Sequence, residues 1–441
     1  MSTEQATSDK VQEQYNSFSD ILSDDELAEL FEKHGVKDIR KRKLPVYHFF
    51  WITILSLSEP TARGSLLNLI GFFLGSINMF PELQAKVGNK LSKTAVSNRL
   101  KGVSWYLFRG IYNHLLAKYR HILGATDLQF LGRFKEAFAI DGSVISVCKQ
   151  LEKVFQSVHK GKAALKLNVK YCLKLEILTK LQVSSGKRHD SKFAGVTKAA
   201  NCLYLMDLGY WSFARMKKIM DAGSYFVMRL KSSCDPLIIK VTDPNYQHLV
   251  GKRLSEVTDW LKTQTFSEID VTVQLSKAKK PRFTEDIRLV GLLYEGEWRF
   301  YITNIFEAEF TPTFIYQLYA LRWQVEIYFN VIKNVLSLQN IVSKTKNGIM
   351  IEIYSALIFH LLTRIVIALA AQKTGHSIHE FSFERSAKLI RGFIAANARL
   401  FFSQSLKELD SLFASLVDVV ANMGKRQMSH PILDLDKQLN P

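Results

Sequence analysis

The spacing of apolar residues changes several times along this chain, and each change marks a boundary. Up to about residue 130 the apolar positions recur at helical intervals, clearest in residues 46–57 and 66–80. Residues 92–101 place small polar side chains where a helix can start and Lys and Arg where its exposed face would lie. They read equally as the reading helix of a helix-turn-helix unit or as a solvated helix of an all-α region. From Phe134 the runs shorten. Residues 137–140 form an apolar run ending in Asp141-Gly142, and residues 202–206 another, ending in Asp207-Leu208-Gly209-Tyr210-Trp211. Each predicts a buried strand with its aspartate at the end. Residues 164–173 and 176–184 alternate as an antiparallel pair. A helix over 213–220 and a strand over 225–230 follow.

After Ser232 the pattern turns β-rich, with strands predicted over 266–275, 287–294 and 298–305 and a basic turn over 277–282. From Thr311 it is helical to the end, with a break near Lys373-Thr374-Gly375. The expected organisation is therefore a helical N-terminal domain (1–130), the first part of a mixed α/β core (131–231), a β-rich insertion (232–305), the second part of the core (306–373) and a helical C-terminal region (374–441). Within that last region, residues 401–409 and 412–423 have apolar faces that would pair either with a second copy or with their own core.

Composition narrows the function. With 47% hydrophobic and 23% charged residues the chain is an ordinary globular protein. Its 59 basic against 41 acidic residues, a net charge of +18, favour a polyanionic partner: DNA, RNA or an anionic surface. A second basic cluster, residues 40–43, precedes the first apolar helix. The first thirty residues are polar and acidic, unlike a secretory signal. The longest apolar stretch, 353–371, contains His360 and Arg364, which predicts a buried core helix rather than a membrane span. Cys148, Cys172, Cys202 and Cys234 lack Cys-x-x-Cys spacing, as expected of a reduced cytoplasmic protein without structural zinc. Ser143 has no nucleophile-elbow context, and phosphate-loop and dinucleotide fingerprints are missing.

Candidate chemistry lies in Tyr319, Arg322, Glu326 and Lys333. On one regular helix their spacings of three, four and seven put all four side chains within an arc of roughly 60°. A phenol, a guanidinium and an ammonium suit a phosphate; the carboxylate between them suits a metal. Asp141 and Asp207, at matched strand ends and each followed within two residues by glycine, would bring two more carboxylates to a sheet edge. Three such groups are hard oxygen ligands for Mg²⁺. Two ions about 3.5–4 Å apart could activate water or a 3′-hydroxyl and stabilise the departing oxygen of a phosphodiester.

The order Asp141-Gly142, then Asp207-Leu208-Gly209-Tyr210-Trp211, then Tyr-x2-Arg-x3-Glu-x6-Lys resembles the DDE transposases of bacterial insertion sequences. It is most similar to the group with a Y-R-E-K signature, which includes hairpin-forming cut-and-paste enzymes. The likeness spans about residues 134–365. The resemblance implies an RNase H-like mixed-sheet core interrupted by a β-rich insertion. It implies that Asp141, Asp207 and Glu326 are catalytic and hold two Mg²⁺ ions, with Mn²⁺ as a substitute. It implies that Tyr319, Arg322 and Lys333 contact DNA phosphates. Trp298, which closes the insertion, would either stack on a flipped base at about 1–3 kcal/mol or pack on the sheet.

Other residues carry less. Trp323 is expected in the core or a groove wall, His189-Asp190 after the third strand either as another carboxylate near the site or as a plain loop, and His376 and His379 in a surface loop. The expected function is cleavage at terminal inverted repeats and strand transfer into target DNA, by a homodimeric synaptic complex. The enzyme would act in the cytoplasm at the nucleoid, away from membranes. The alternatives are a metal-dependent nuclease of the same fold that does not transpose, or an inactive DNA-binding remnant.

Overall fold

The computed structural model of the chain describes residues 15–36, 44–58, 65–78, 91–123, 129–275 and 283–439. The basic clusters at 40–43 and 277–282 lie outside these residues. The chain forms two compact units. One comprises residues 1–125, 146–164 and 328–430; the other comprises 126–145, 165–327 and 431–441.

The second unit is built on a nine-stranded sheet: β1 (Glu136–Val147), β2 (Ala163–Cys172), β3 (Ile177–Ser185), β4 (Cys202–Met206), β5 (Tyr225–Arg229), β6 (Leu237–Val241), β7 (Glu268–Gln274), β8 (Asp286–Tyr294) and β9 (Glu297–Thr303). Their spatial order is 3-2-1-4-5-9-8-7-6. β1, β4 and β5 run parallel, and β2 and β3 are antiparallel to each other. This is the 3-2-1-4-5 order of an RNase H-like core. β4 is buried along its whole length, as a central parallel strand with both faces covered must be. The insertion does not fold apart from the core. β9 pairs antiparallel with β5, from Val227↔Thr303 to Arg229↔Tyr301, so the meander β9-β8-β7-β6 prolongs the same sheet. The β8–β9 hairpin turns on Glu295 (φ 52°) and Gly296 (φ 80°), the two positive-φ positions that match the twist of its strands.

The sequence reading needs two corrections here. β1 does not stop at Asp141 but continues to Val147. The β-branched Val144, Ile145 and Val147 keep the backbone extended after burial has ended. β6 and the helix Leu254–Lys262 went unrecognised. β6 is only five residues long, and the helix shows its apolar stripe in just three buried residues, Leu254, Val257 and Leu261.

In the helical unit, N-terminal and C-terminal helices pack together. Lys346–Thr374 is apolar on every face and 94% of its most apolar window is buried, so it is a core helix. It ends on Gly375 in the left-handed conformation. Val46–Leu55 is likewise buried nearly all round, and Thr53 receives a 3.2 Å hydrogen bond from Ser355 of the long helix. Trp51 meets Phe401 at 4.9 Å between ring centroids, and Phe18 lies edge-on to Phe401 and Phe413. Phe401 belongs to the helix Phe383–Phe402, so the separate helix expected over 401–409 does not exist. Its place is taken by a single 3₁₀ turn, Leu406–Leu409.

Two further expectations fail within this unit, while His376 lies in a loop as expected. The helix Lys93–Gly102 forms, with Ser92 as its cap, but Arg99 is buried and donates 2.7 Å to the Leu44 carbonyl. Its basic face is therefore thinner than the sequence implied. His379 is 1% exposed rather than in a surface loop. His376 is half-exposed and pairs with Glu380 at 2.9 Å.

Candidate active site

The last register pair between β1 and β4 is Ile140↔Met206. Asp141 and Asp207 are the next residues on each strand. Neighbouring parallel strands lie about 4.8 Å apart, and residues in register point to the same face. The two aspartates therefore leave the sheet side by side. Asp141 Oδ1 accepts the Gly142 N–H at 2.7 Å. Asp207 opens the 3₁₀ turn Leu208–Tyr210, and its carboxylate makes no capping hydrogen bond there.

Glu326 arrives from a segment that is not one regular helix. The α-helix Pro312–Ala320 tightens to a 3₁₀ turn at Leu321–Trp323, resumes at Gln324–Asn330 and widens to a π turn at Val331–Val335. The single 60° arc expected for Tyr319, Arg322, Glu326 and Lys333 is thereby corrected, because each change of pitch rotates the residues after it. Arg322 and Glu326 still meet. Arg322 Nη2 donates to Glu326 Oε1 at 2.7 Å, and Nη1 donates to Asp141 Oδ2 at 3.0 Å. One guanidinium thus spans two carboxylates separated by most of the catalytic sequence.

Burial pushes the Asp141 carboxyl up to about 6; Gly142 and Arg322 pull it down, and the charges of Asp207 and Glu326 raise it further. Burial lowers the Arg322 pKa, but Tyr319, the hydrogen bond to Glu326 and the charge of Asp141 outweigh it and leave it raised. Tyr319 is itself buried. Its ring centroid lies 5.1 Å from that of Tyr301, the Arg322 guanidinium stands 5.7 Å from its ring, and burial pushes the phenol up to about 12. Lys333, half-buried in the π turn, belongs to the helical unit, and burial lowers its pKa. Trp298 packs on the sheet, parallel to Phe300 at 6.2 Å, yet also borders a cleft of about 380 Å³ with Arg229, Lys231 and Arg299. Trp323 is 57% exposed and not a core residue.

Behind the aspartates lies Asp190, already expected near the site, together with supporting residues the sequence did not single out: Lys166, Asn168 and Arg215. Asp190 is paired with Lys166 of β2 at 2.7 Å. Arg215 donates to Ser191 O at 3.0 Å, to Phe193 O at 2.9 Å and to Tyr210 O, and so ties the Asp190 turn to the turn after Asp207. Tyr210 donates to Asn168 Oδ1 at 2.9 Å. The signal was present in the alternation of Lys166, Asn168 and Lys170 within an otherwise apolar strand, which marks one face of β2 as polar.

Crowded carboxylates, one with its pKa raised to about 6 by burial and by the like charges of its neighbours, suit a hard divalent cation, which would relieve that repulsion. Asp141, Asp207 and Glu326 therefore fit a metal centre. An RNase H-like sheet with aspartates on neighbouring strand ends and a downstream helical glutamate defines the class of DDE phosphodiester-cutting enzymes.

The family model "Transposase DDE domain" matches residues 132–362, more than half of the chain, and the chain belongs to that family. It is a DNA transposase, of a family that normally uses divalent metal. It is 24% identical over 84% of its length to the probable transposase for insertion sequence element IS5377 of Geobacillus stearothermophilus, covering 89% of that protein. It is 22% identical over 88% of its length to the transposase for insertion sequence element IS231D of Bacillus thuringiensis subsp. finitimus, covering 86% of it. Among solved structures, a piggyBac transposase synaptic complex with hairpin DNA aligns with 91% of this chain and 81% of that one. The TM-score is 0.42 and the identity 11%, a likeness too remote to assign residues.

Proposed function

We propose that the chain cuts the ends of its own element and joins them to target DNA, using Asp141, Asp207 and Glu326 to hold two Mg²⁺ ions. When bound, such ions lower the pKa of an attacking water or 3′-hydroxyl and neutralise the departing oxygen. The observation that carries this reading is the convergence of Asp141 and Glu326 on one guanidinium beside Asp207. Arg322 now stands where cationic charge is needed. Released from the two carboxylates, its planar fork suits a DNA phosphate bidentately. Tyr319 holds Arg322 from behind, and Lys333 supplies a point charge to the backbone.

The Y-R-E-K subgroup, the hairpin intermediate and the synaptic homodimer belong to this proposal. Trp298 would support the flipped base of a hairpin, since its ring already borders a cleft with basic walls. The N-terminal helices (1–130) would bind the inverted repeats, the core parts (131–231 and 306–373) would do the chemistry around the insertion (232–305), and residues 374–441 would support dimerisation. Its place of action is the nucleoid.

Asp141→Ala, Asp207→Ala and Glu326→Ala are each expected to abolish Mg²⁺-dependent cleavage of a terminal-repeat duplex while leaving its binding in a gel-shift assay. Persistence of cleavage in all three would refute the site. A pre-cleaved end offered with target DNA separates a transposase, which joins the two, from a nuclease, which does not.

A further inference from the structure

Beyond Ile140↔Met206 no ladder pairing between β1 and β4 ties the two aspartates together. Something else must set their separation, and the structure shows what fills the space behind them. A Cβ built on Gly142 would lie 3.0 Å from Asp190 Oδ1, and one on Gly209 would lie 3.2 Å from Asp190 Oδ2. One carboxylate therefore touches the backbone just after each aspartate. A side chain at Gly142 would crowd Asn168 and Asp190, and one at Gly209 would press on Asp190 closely enough that the carboxylate would have to shift.

Asp190 is fixed in its turn. Lys166 of β2 holds it at 2.7 and 2.9 Å, with the lysine side chain only 14% exposed. Arg215 clamps Ser191 and Phe193 on one side and Tyr210 on the other. The lysine also neutralises a carboxylate that would otherwise add to the repulsion among the other three.

We propose that Asp190, anchored by Lys166, is a positioning residue that wedges between the Gly142 and Gly209 backbones and sets the gap between the Asp141 and Asp207 carboxylates. This rests on the reading that those two aspartates hold the metal. It acts through backbone geometry and not as a ligand.

The test is Mn²⁺ binding to the full chain by calorimetry, without DNA, in wild type and in Asp190→Asn, Asp190→Ala, Lys166→Met and the Asp190→Asn/Lys166→Met double variant. Groups supporting metal ligands from behind typically change affinity roughly 10–100-fold when removed. Asp190→Ala and Lys166→Met are both expected to weaken Mn²⁺ binding by at least about tenfold. The double variant should be no weaker than its worse parent, since both changes release the same wedge. A purely electrostatic role gives another pattern: Asp190→Asn weakens binding and Lys166→Met tightens it. That pattern overturns the proposal, as do affinities within twofold of wild type. Complete loss of binding in Asp190→Ala, equal to that of Asp141→Ala, would make Asp190 a direct ligand and also overturn it. Asp190→Asn is nearly isosteric and remains informative should the alanine variant fail to fold. If Asp141→Ala itself leaves Mn²⁺ binding unchanged, the metal site has been misplaced, a failure distinct from that of the wedge.

Discussion

Replacing Asp141 by Asn should stabilise the metal-free protein while destroying its activity. The folded carboxyl takes up its proton at about 6, against the ordinary aspartate value of 3.8. Its side chain is only 17% exposed, so solvent screens little of this shift. The difference of about two pKa units corresponds to roughly 3 kcal/mol. Between these two values the folded state holds more protons than the unfolded one, so stability falls as pH rises through the window. The ionised carboxylate thus carries its full penalty above about pH 7 and none below about pH 4. Asparagine removes the charge and keeps one acceptor oxygen for the Gly142 N–H, while its amide nitrogen takes the place of the oxygen that accepts from Arg322 Nη1, so that hydrogen bond is lost and offsets part of the gain. In EDTA at pH 7.5 the variant should gain up to about 3 kcal/mol, or roughly 6–12 °C in melting temperature for a unit of this size. The assay is thermal unfolding from pH 4 to 8, with and without Mg²⁺. The gain should shrink towards zero at pH 4, and added Mg²⁺ should raise the wild type more than the variant. A variant no more stable than wild type at pH 7.5, or a gain independent of pH, would refute the argument that buried like charge crowds this site.

Other outcomes follow from the same physics. Arg215→Met leaves the carbonyls of Ser191, Phe193 and Tyr210 without their donor; chemical denaturation should show a loss of about 3 kcal/mol or more, accompanied by reduced cleavage. Gly142→Ala places a Cβ 2.8 Å from Asn168 Oδ1, so it should cost about 1–3 kcal/mol and reduce cleavage far more than DNA binding in a gel shift. Burial lowers His360 from 6.5 to about 3, so the folded state binds fewer protons across that interval. Stability is therefore full above about pH 6.5 and falls as the solution is acidified, by about 3 kcal/mol at pH 4 from this residue alone. His360→Phe, stacking on Phe383 as the imidazole does at 4.5 Å, should flatten that limb of a pH-denaturation curve; an unchanged limb would assign the acid sensitivity elsewhere.

Chain order and local composition already contained much of this protein. The apolar runs before Asp141 and Asp207 specified two strands, and their likeness to one another marked both aspartates together. β4 was predicted with the bounds it has, Cys202–Met206, because a strand buried on both faces writes itself as an unbroken apolar run. The four-residue signature pointed to Glu326 and to its partner Arg322, since an i,i+4 pair survives modest changes of helical pitch.

Only the tertiary structure decided the rest. That β1 and β4 are neighbours, in a register placing Asp141 beside Asp207, is a pairing between segments more than sixty residues apart, which local periodicity does not encode. The segment carrying the signature changes pitch through a 3₁₀ turn at Leu321–Trp323 and a π turn at Val331–Val335, which the regular spacing of its residues does not foretell. In the sequence, Asp190 could be read either as a further carboxylate near the site or as a loop residue, with nothing to assign it a role. Its standing comes from three contacts distant in sequence: Gly142 on β1, Gly209 after β4 and Lys166 on β2. A side chain's chemistry is written in the sequence, but its charge environment is set by neighbours that only the folded chain brings within a few ångströms.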